Sequence, residues 1–347
     1  MHTQIRPLVA AATILGAASL ALTGCSGQSG GTSSSSSGSA AAGGNSKALN
    51  LTIVVGASSD PFFQAMKVGA EAEAKKQNVT LKYQGNANTY SPATEIPILN
   101  QVIAQKPDGI ALAPTDPVAL QAPMERAISS GIAVVNVDSQ VKDLSKAVSF
   151  ITGDNQDGGA KAADALAKAV GYKSGTTYQV AVGLTSSTAT TNTERLAGFK
   201  KQTAAKYPGI KIVATGYSQA NPANANRNIN NWLTAFPKLA GIFAIDGTNA
   251  QGGAAALQSK GLVGKVKLIG YDAYKVNVDL LKKGIFTALV SQDPGKEGAL
   301  AVDTLAKYIR ANKSAAGIDK AVTLPNIILT KDTPAADLDK YTYVQKG

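Results

Sequence analysis

From Leu49 onward the chain alternates short runs of Val, Ile and Leu with longer Ala-, Lys- and Glu-rich stretches whose apolar residues recur at helical spacing. Short apolar runs bounded by Gly, Pro, Asn or Asp read as buried strands, and the longer periodic stretches as amphipathic helices. The pattern predicts strands over 51–56, 79–83, 109–113 and 132–137, separated by helices over 61–77, 92–105 and 117–130. A second series follows, with strands over 177–184, 211–217, 241–245, 266–270 and 286–290 and helices over 193–206 and through Trp232. Strands alternating with helices in this way form parallel βαβ units, so the expected class is α/β. Five helix starts are marked by a polar residue before proline: Asp60-Pro61, Ser91-Pro92, Asp116-Pro117, Asn221-Pro222 and Asp293-Pro294. Each places a side-chain oxygen on orphan amides and a proline where its missing N–H costs nothing. Asp60, Asp138, Asp246 and Asp272 fall at the carboxyl ends of predicted strands, and in doubly wound sheets that is where ligands sit.

The first residues follow a different pattern. A short polar start with one cation, Arg6, leads into an apolar run over 8–22, the proportions of an export signal and too short for a settled membrane span. Leu22-Thr23-Gly24-Cys25 follows, and it resembles the lipobox of bacterial lipoproteins, in which the cysteine is lipidated and becomes the mature N-terminus. Residues 26–46 are Gly, Ser, Ala and little else, which cannot bury enough apolar area to offset their ordering entropy. The expectation is a lipoprotein signal over 1–24, then lipidated Cys25 with a tether over 25–48, holding the folded body outside the cytoplasm at a cell membrane.

Composition narrows the chemistry. Histidine occurs once, at His2, and cysteine once, at Cys25, so the body of the protein has no His or Cys catalysis, no His/Cys zinc site and no internal disulfide. The formal charge is +11, yet the lysines are spread among carboxylates and no dense basic run interleaves with aromatics, which argues against a nucleic-acid partner. Residues 153–159, Gly-Asp-Asn-Gln-Asp-Gly-Gly, lack the Gly-Lys-Ser/Thr ending of a phosphate loop and the twelve-residue frame of a calcium loop. Neither a metal nor a cofactor is expected. At 347 residues the chain is long enough for two packed cores.

The order and spacing of several segments then acquire a meaning together. Gly56-Ala57-Ser58-Ser59-Asp60-Pro61-Phe62-Phe63, Val134-Val135-Asn136-Val137-Asp138, Phe243-Ala244-Ile245-Asp246, Gly270-Tyr271-Asp272 and Ser291-Gln292-Asp293-Pro294 resemble the periplasmic binding proteins of the ribose-binding type, over about residues 49–329. The resemblance implies two Rossmann-like lobes joined by three hinge crossings, near Thr152-Gly153, Gln292-Asp293 and 324–326. One lobe would hold 49–152 plus 293–324, the other 153–292 plus 325–347. It further implies a monomeric ligand-capturing subunit of a sugar ABC importer, with a permease and its ATPase as partners.

Matched to that family, Phe62 and Phe63 are the aromatic pair that lies against a sugar ring, and Asp138 and Asp272 are carboxylates that accept its hydroxyls. Gln292 sits at a hinge and reaches the ligand, while Asp60 and Asp246 stand where Asn is usual. Ser139 replaces an arginine, Thr193 takes the place of a second, and Arg195 matches a neighbouring arginine that faces away, though a small shift in register brings it into the cleft. Ala220 or Asn221 stands for the second lobe's aromatic lid. Carboxylates only accept hydrogen bonds, so a cleft with four of them calls for a donor-rich neutral sugar or polyol and disfavours an anion. Three other readings share these residues: a furanose signal of the autoinducer-2 type, presentation of the ligand to a membrane sensor, and a glycosidase built on Asp138 and Asp272. A transcription regulator of this shape would need a helix-turn-helix before residue 49, where the signal and tether stand.

Overall fold

The structure, a computed structural model, describes residues 47–344. The export signal, Cys25 and nearly all of the tether lie outside the described residues.

The chain runs β1 (Leu49–Ala57), α1 (Pro61–Lys76), β2 (Val79–Asn86), α2 (Pro92–Ala104), β3 (Gly109–Ala113), α3 (Gln121–Ser129), β4 (Ala133–Val137) and β5 (Phe150–Gly153). It continues through α4 (Asn155–Ala169), β6 (Tyr178–Leu184), α5 (Thr190–Lys206), β7 (Ile210–Tyr217), α6 (Pro222–Ala235) and β8 (Leu239–Ala244). Next come α7 (Gly247–Ser259), β9 (Lys267–Tyr271), α8 (Lys275–Lys282), β10 (Ala288–Ser291) and α9 (Pro294–Arg310). The last elements are β11 (Ala321–Leu324), β12 (Ile327–Leu329) and α10 (Ala335–Tyr341).

These strands form two six-stranded sheets, in the orders β2-β1-β3-β4-β5-β11 and β7-β6-β8-β9-β10-β12. All neighbours are parallel except β10 and β12. Helices cover both faces, which is why β3 and β4 are buried at every residue and read as unbroken apolar runs. β2 lies at an edge and alternates instead, with Thr80 and Lys82 exposed between partly buried Val79, Leu81 and Tyr83. Strand order reverses between β1 and β3 in one sheet and between β6 and β8 in the other, so each sheet has a switch point for a ligand.

The chain passes between the sheets three times, after β5, after β10, and between β11 and β12. Hydrogen bonds tie the first and third of these passages together. Asn326 Nδ2 donates to the Asp154 carbonyl, Lys161 Nζ donates to the Asn326 carbonyl at 2.8 Å, and Asp154 N donates to the Leu324 carbonyl at 2.8 Å.

Four of the five polar-Pro starts cap helices: Asp60 accepts from Phe62 N, Ser91 from Ala93 N, Asn221 from Ala223 and Asn224 N, and Asp293 from Lys296 N. The fifth differs. Asp116 accepts from Val118 and Ala119 N, but 117–120 form a turn and α3 begins only at Gln121. A helix running from 117 would need an N–H at Pro123 for the carbonyl of residue 119; starting later puts Pro123 in the first turn, where none is required. α5 also departs from expectation, beginning at Thr190 and not at 193.

Candidate functional site

Loops at the carboxyl ends of β1, β4, β6, β8, β9 and β10 meet at a small cleft with a free volume of about 60 Å³. Asp60, Asp138, Asp246, Asp272, Phe62, Phe63 and Gln292 all line it; Ser139 and Thr193 do not.

Asp138 and Asp272 are structural twins. Each is the residue after a strand, each has a positive φ (63° and 68°), and each donates its N–H to the neighbouring strand, to Ile151 O and Val290 O, both at 2.8 Å. The left-handed backbone is unusual for a residue other than glycine, and here it turns a carboxylate out of the strand end. Their surroundings then differ. Asp272 Oδ1 accepts from Gln292 Nε2 at 2.7 Å and from the Tyr343 hydroxyl at 3.1 Å, and its Oδ2 accepts from Gly247 N at 2.8 Å. Among the described residues no donor reaches the Asp138 carboxylate, which borders the cleft with its residue 7% exposed. Burial pushes its pKa up to about 7; Arg195 opposes the shift, and Asp272 and Asp60 add to it.

Asp246 is filled from within. Its Oδ1 accepts from Asn249 N at 2.8 Å, and its Oδ2 accepts from the Thr185 hydroxyl at 2.8 Å and Asn249 Nδ2 at 2.7 Å. It caps α7 and links the loops on either side of the second sheet's switch point. Asp60 caps α1, and burial likewise pushes its pKa up to about 7 against the hydrogen bonds from Tyr274 and Phe62 N.

Arg195, whose direction the sequence left open, enters the cleft and supplies it with a guanidinium. α4 and α5 cross at Gly159 and Gly198, where any Cβ would lie 2.0 Å from the other helix's backbone, at Arg195 O and Gln156 O. This close crossing sends the Arg195 side chain into the cleft. Its Nε donates to Asn155 Oδ1 at 2.8 Å, Nη1 to Ile245 O at 3.0 Å and Nη2 to Gln292 Oε1 at 2.9 Å, and the guanidinium lies 3.9 Å over the Tyr271 ring. Burial works against its charge, but Tyr271, Asp272 and Asp138 hold it protonated.

Thr193 is exposed on α5 with its hydroxyl donating to Thr190 O at 3.0 Å, because the helix begins a turn earlier and brings Thr191, Asn192 and Arg195 to the cleft. Ser139 is fully buried and donates its hydroxyl to Pro114 O at 2.8 Å, a bond that secures the loop behind Asp138. Phe62 and Phe63 pack edge-on with centroids 5.3 Å apart and are 6% and 5% exposed, so each serves the core and the cleft wall together. Ala220 lines the cleft where the lid was expected. Tyr90, Thr185, Thr248 and Tyr274 were missed; Tyr274 stands two residues after Asp272 and was the most legible of them.

Comparison with known proteins adds the context for this cleft. The periplasmic binding protein domain family matches residues 51–313. The chain belongs to that family. Among curated relatives, the D-ribose/D-allose-binding protein of Pseudomonas aeruginosa is 28% identical over 81% of this chain and 88% of its own length. The D-allose-binding periplasmic protein of Escherichia coli is 29% identical over 77% and 86%. A solved ABC transporter solute-binding protein from Agrobacterium vitis, bound with alpha-D-tagatopyranose, superposes with a TM-score of 0.79 at 28% identity, covering 85% of this chain and 99% of that one. The α/β class with two sheets of mostly parallel strands, expected from the sequence, is what this periplasmic binding protein has.

Proposed function

We propose that this periplasmic binding protein is the extracytoplasmic solute-binding subunit of an ABC importer, capturing a small neutral sugar or polyol between two closing lobes. The observation that carries this reading is the Asp138 carboxylate, open to the cleft beside Phe62 and Phe63 and facing the Arg195–Gln292–Asp272 relay. Aromatic faces suit the C–H side of a sugar, carboxylates take its hydroxyl donors, and the guanidinium donates to its oxygens. Relatives named for ribose and allose, and the tagatose-bound neighbour, support the same class of guest.

The moving bodies are residues 49–152 plus 293–324 and 153–292 plus 325–347, hinged at the three crossings. A ligand that bonds both lobes only when they are closed shifts the population toward closure by its differential affinity. A permease and its ATPase would receive it, the binding protein acting as a monomer. The lipobox-like segment supports anchoring through Cys25.

The test is a thermal-shift and calorimetric screen of the purified chain against pentoses, hexoses and polyols. A buried hydrogen bond to a charged group contributes about 1.5–3 kcal/mol. Asp138→Ala is therefore expected to weaken the best guest by roughly 10- to 150-fold. Unchanged affinity in that variant would remove Asp138 from the site.

A further inference from the structure

One wall of the cleft is closed by a residue that the reading above leaves without a role. Tyr274, between β9 and α8, is 2% exposed and lines the cleft. Its ring lies directly over Gly247: a Cβ there would fall 2.2 Å from the ring carbon Cζ and 2.6 Å from Oη. Only glycine at 247 leaves the ring its place. The Tyr274 hydroxyl donates across the cleft to Asp60 Oδ1 at 2.6 Å, and the same oxygen accepts from Phe62 N at 2.8 Å. One oxygen of Asp60 is thus taken by two protein donors.

The ring is also held on its flank. It packs edge-on against Tyr343 with centroids 5.9 Å apart, and Tyr343 packs edge-on against Phe62 at 6.1 Å. Phe63, Phe62, Tyr343 and Tyr274 therefore make one continuous run of rings, of which Phe63, Phe62 and Tyr274 line the cleft. A guest that reached toward Asp60 would have to displace a ring held by a charge-assisted hydrogen bond, a ring contact and a fitted glycine.

We propose that Tyr274 is the specificity-determining residue of the cleft, sealing its Asp60 end so that the guest is a compact polyol or sugar of five carbons or fewer. The inference rests on the reading of the cleft as a sugar or polyol site. A pentose has no exocyclic hydroxymethyl group when it closes as a pyranose, and its hydroxyls suffice for Asp138 and Asp272. A hexopyranose carries that extra group, and where the group points to the Asp60 end the Tyr274 ring leaves it no room.

The experiment is isothermal titration calorimetry of the full chain with four-carbon polyols, pentoses, pentitols and hexoses. Wild type is expected to bind its best guest of five carbons or fewer at least tenfold more tightly than any hexose. Tyr274→Ala is expected to bring the two classes within about threefold, by gaining hexose affinity. Tyr274→Leu, which keeps apolar packing over Gly247, makes the same comparison should the alanine variant misfold. A wild-type preference for a hexose, or an unchanged ranking in both variants, would overturn the role of Tyr274 while leaving a sugar site in place. No binding by any member of the panel to folded wild type would overturn the sugar reading itself.

Discussion

At the scale of single residues, the cleft is an arrangement of acceptors whose availability differs. Asp246 accepts three hydrogen bonds from Thr185 and Asn249, and Asp272 three from Gln292, Tyr343 and Gly247, whereas Asp138 is open. The pH dependence of binding follows. Asp138 has its pKa pushed up to about 7, and only the ionised carboxylate accepts hydrogen bonds on both oxygens. Affinity is therefore expected to rise as pH rises through about 7, and calorimetry on Asp138→Asn should show a flatter profile. A profile identical to that of wild type would mean that another group, such as Asp60, carries the dependence. The four aspartates were legible because they follow strand runs or precede a proline start, and the Phe pair through the family resemblance. The directions of the Arg195 and Tyr274 side chains were not, because nothing in a sequence reveals where a long side chain points.

At the scale of elements, glycines and buried acids decide how helices meet the sheets. The α4–α5 crossing leaves no room for a side chain at Gly159, so Gly159→Ala should cost about 1–3 kcal/mol through overpacking. The same change displaces the α5 backbone at Arg195, so ligand affinity should fall with stability; denaturant titration and calorimetry on one preparation check both. Glu95 on α2 is 1% exposed; its Oε2 accepts from Thr115 N at 2.8 Å and the Thr115 hydroxyl at 2.5 Å, and its Oε1 has no partner. Burial pushes its pKa from 4.5 up to about 7. The folded state thus holds this proton more tightly than the unfolded chain, a contribution fully present below about pH 4.5 and lost as pH rises through about 7. Glu297 in the first turn of α9 is fully buried with neither oxygen bonded, and burial holds it well above the ordinary value, with the same sign. Glu95→Gln and Glu297→Gln should each raise the melting temperature near pH 8 relative to wild type more than near pH 5. Parallel pH curves for variant and wild type would refute the ionisation of these groups as the cause. Most long strands and helices were legible from their periodicity, the Gly- and Ala-rich α7 being an exception, but β5, β11 and β12, of three or four residues, were not, because so few positions carry no period.

At the scale of the whole molecule, the repeated strand order and the three crossings make two similar halves that meet along their switch points. The side-chain tie from Asn326 to the Asp154 carbonyl links two of the crossings, so Asn326→Ala should cost about 0.5–1.5 kcal/mol in stability. Solution scattering with and without the best sugar should show a smaller radius with ligand. An unchanged radius would argue against hinged closure. By itself the sequence determined the α/β class, the alternation of strands and helices, most helix caps, and the set of strand-end carboxylates, because each depends on residues near one another in the chain. Only the tertiary structure decided which carboxylate stays open, that α5 starts a turn early and turns Arg195 inward and Thr193 outward, and that Tyr274 lies over Gly247 to reach Asp60. Those outcomes depend on helix crossings and hydrogen bonds between segments distant in sequence, and such contacts leave no periodic trace along the chain.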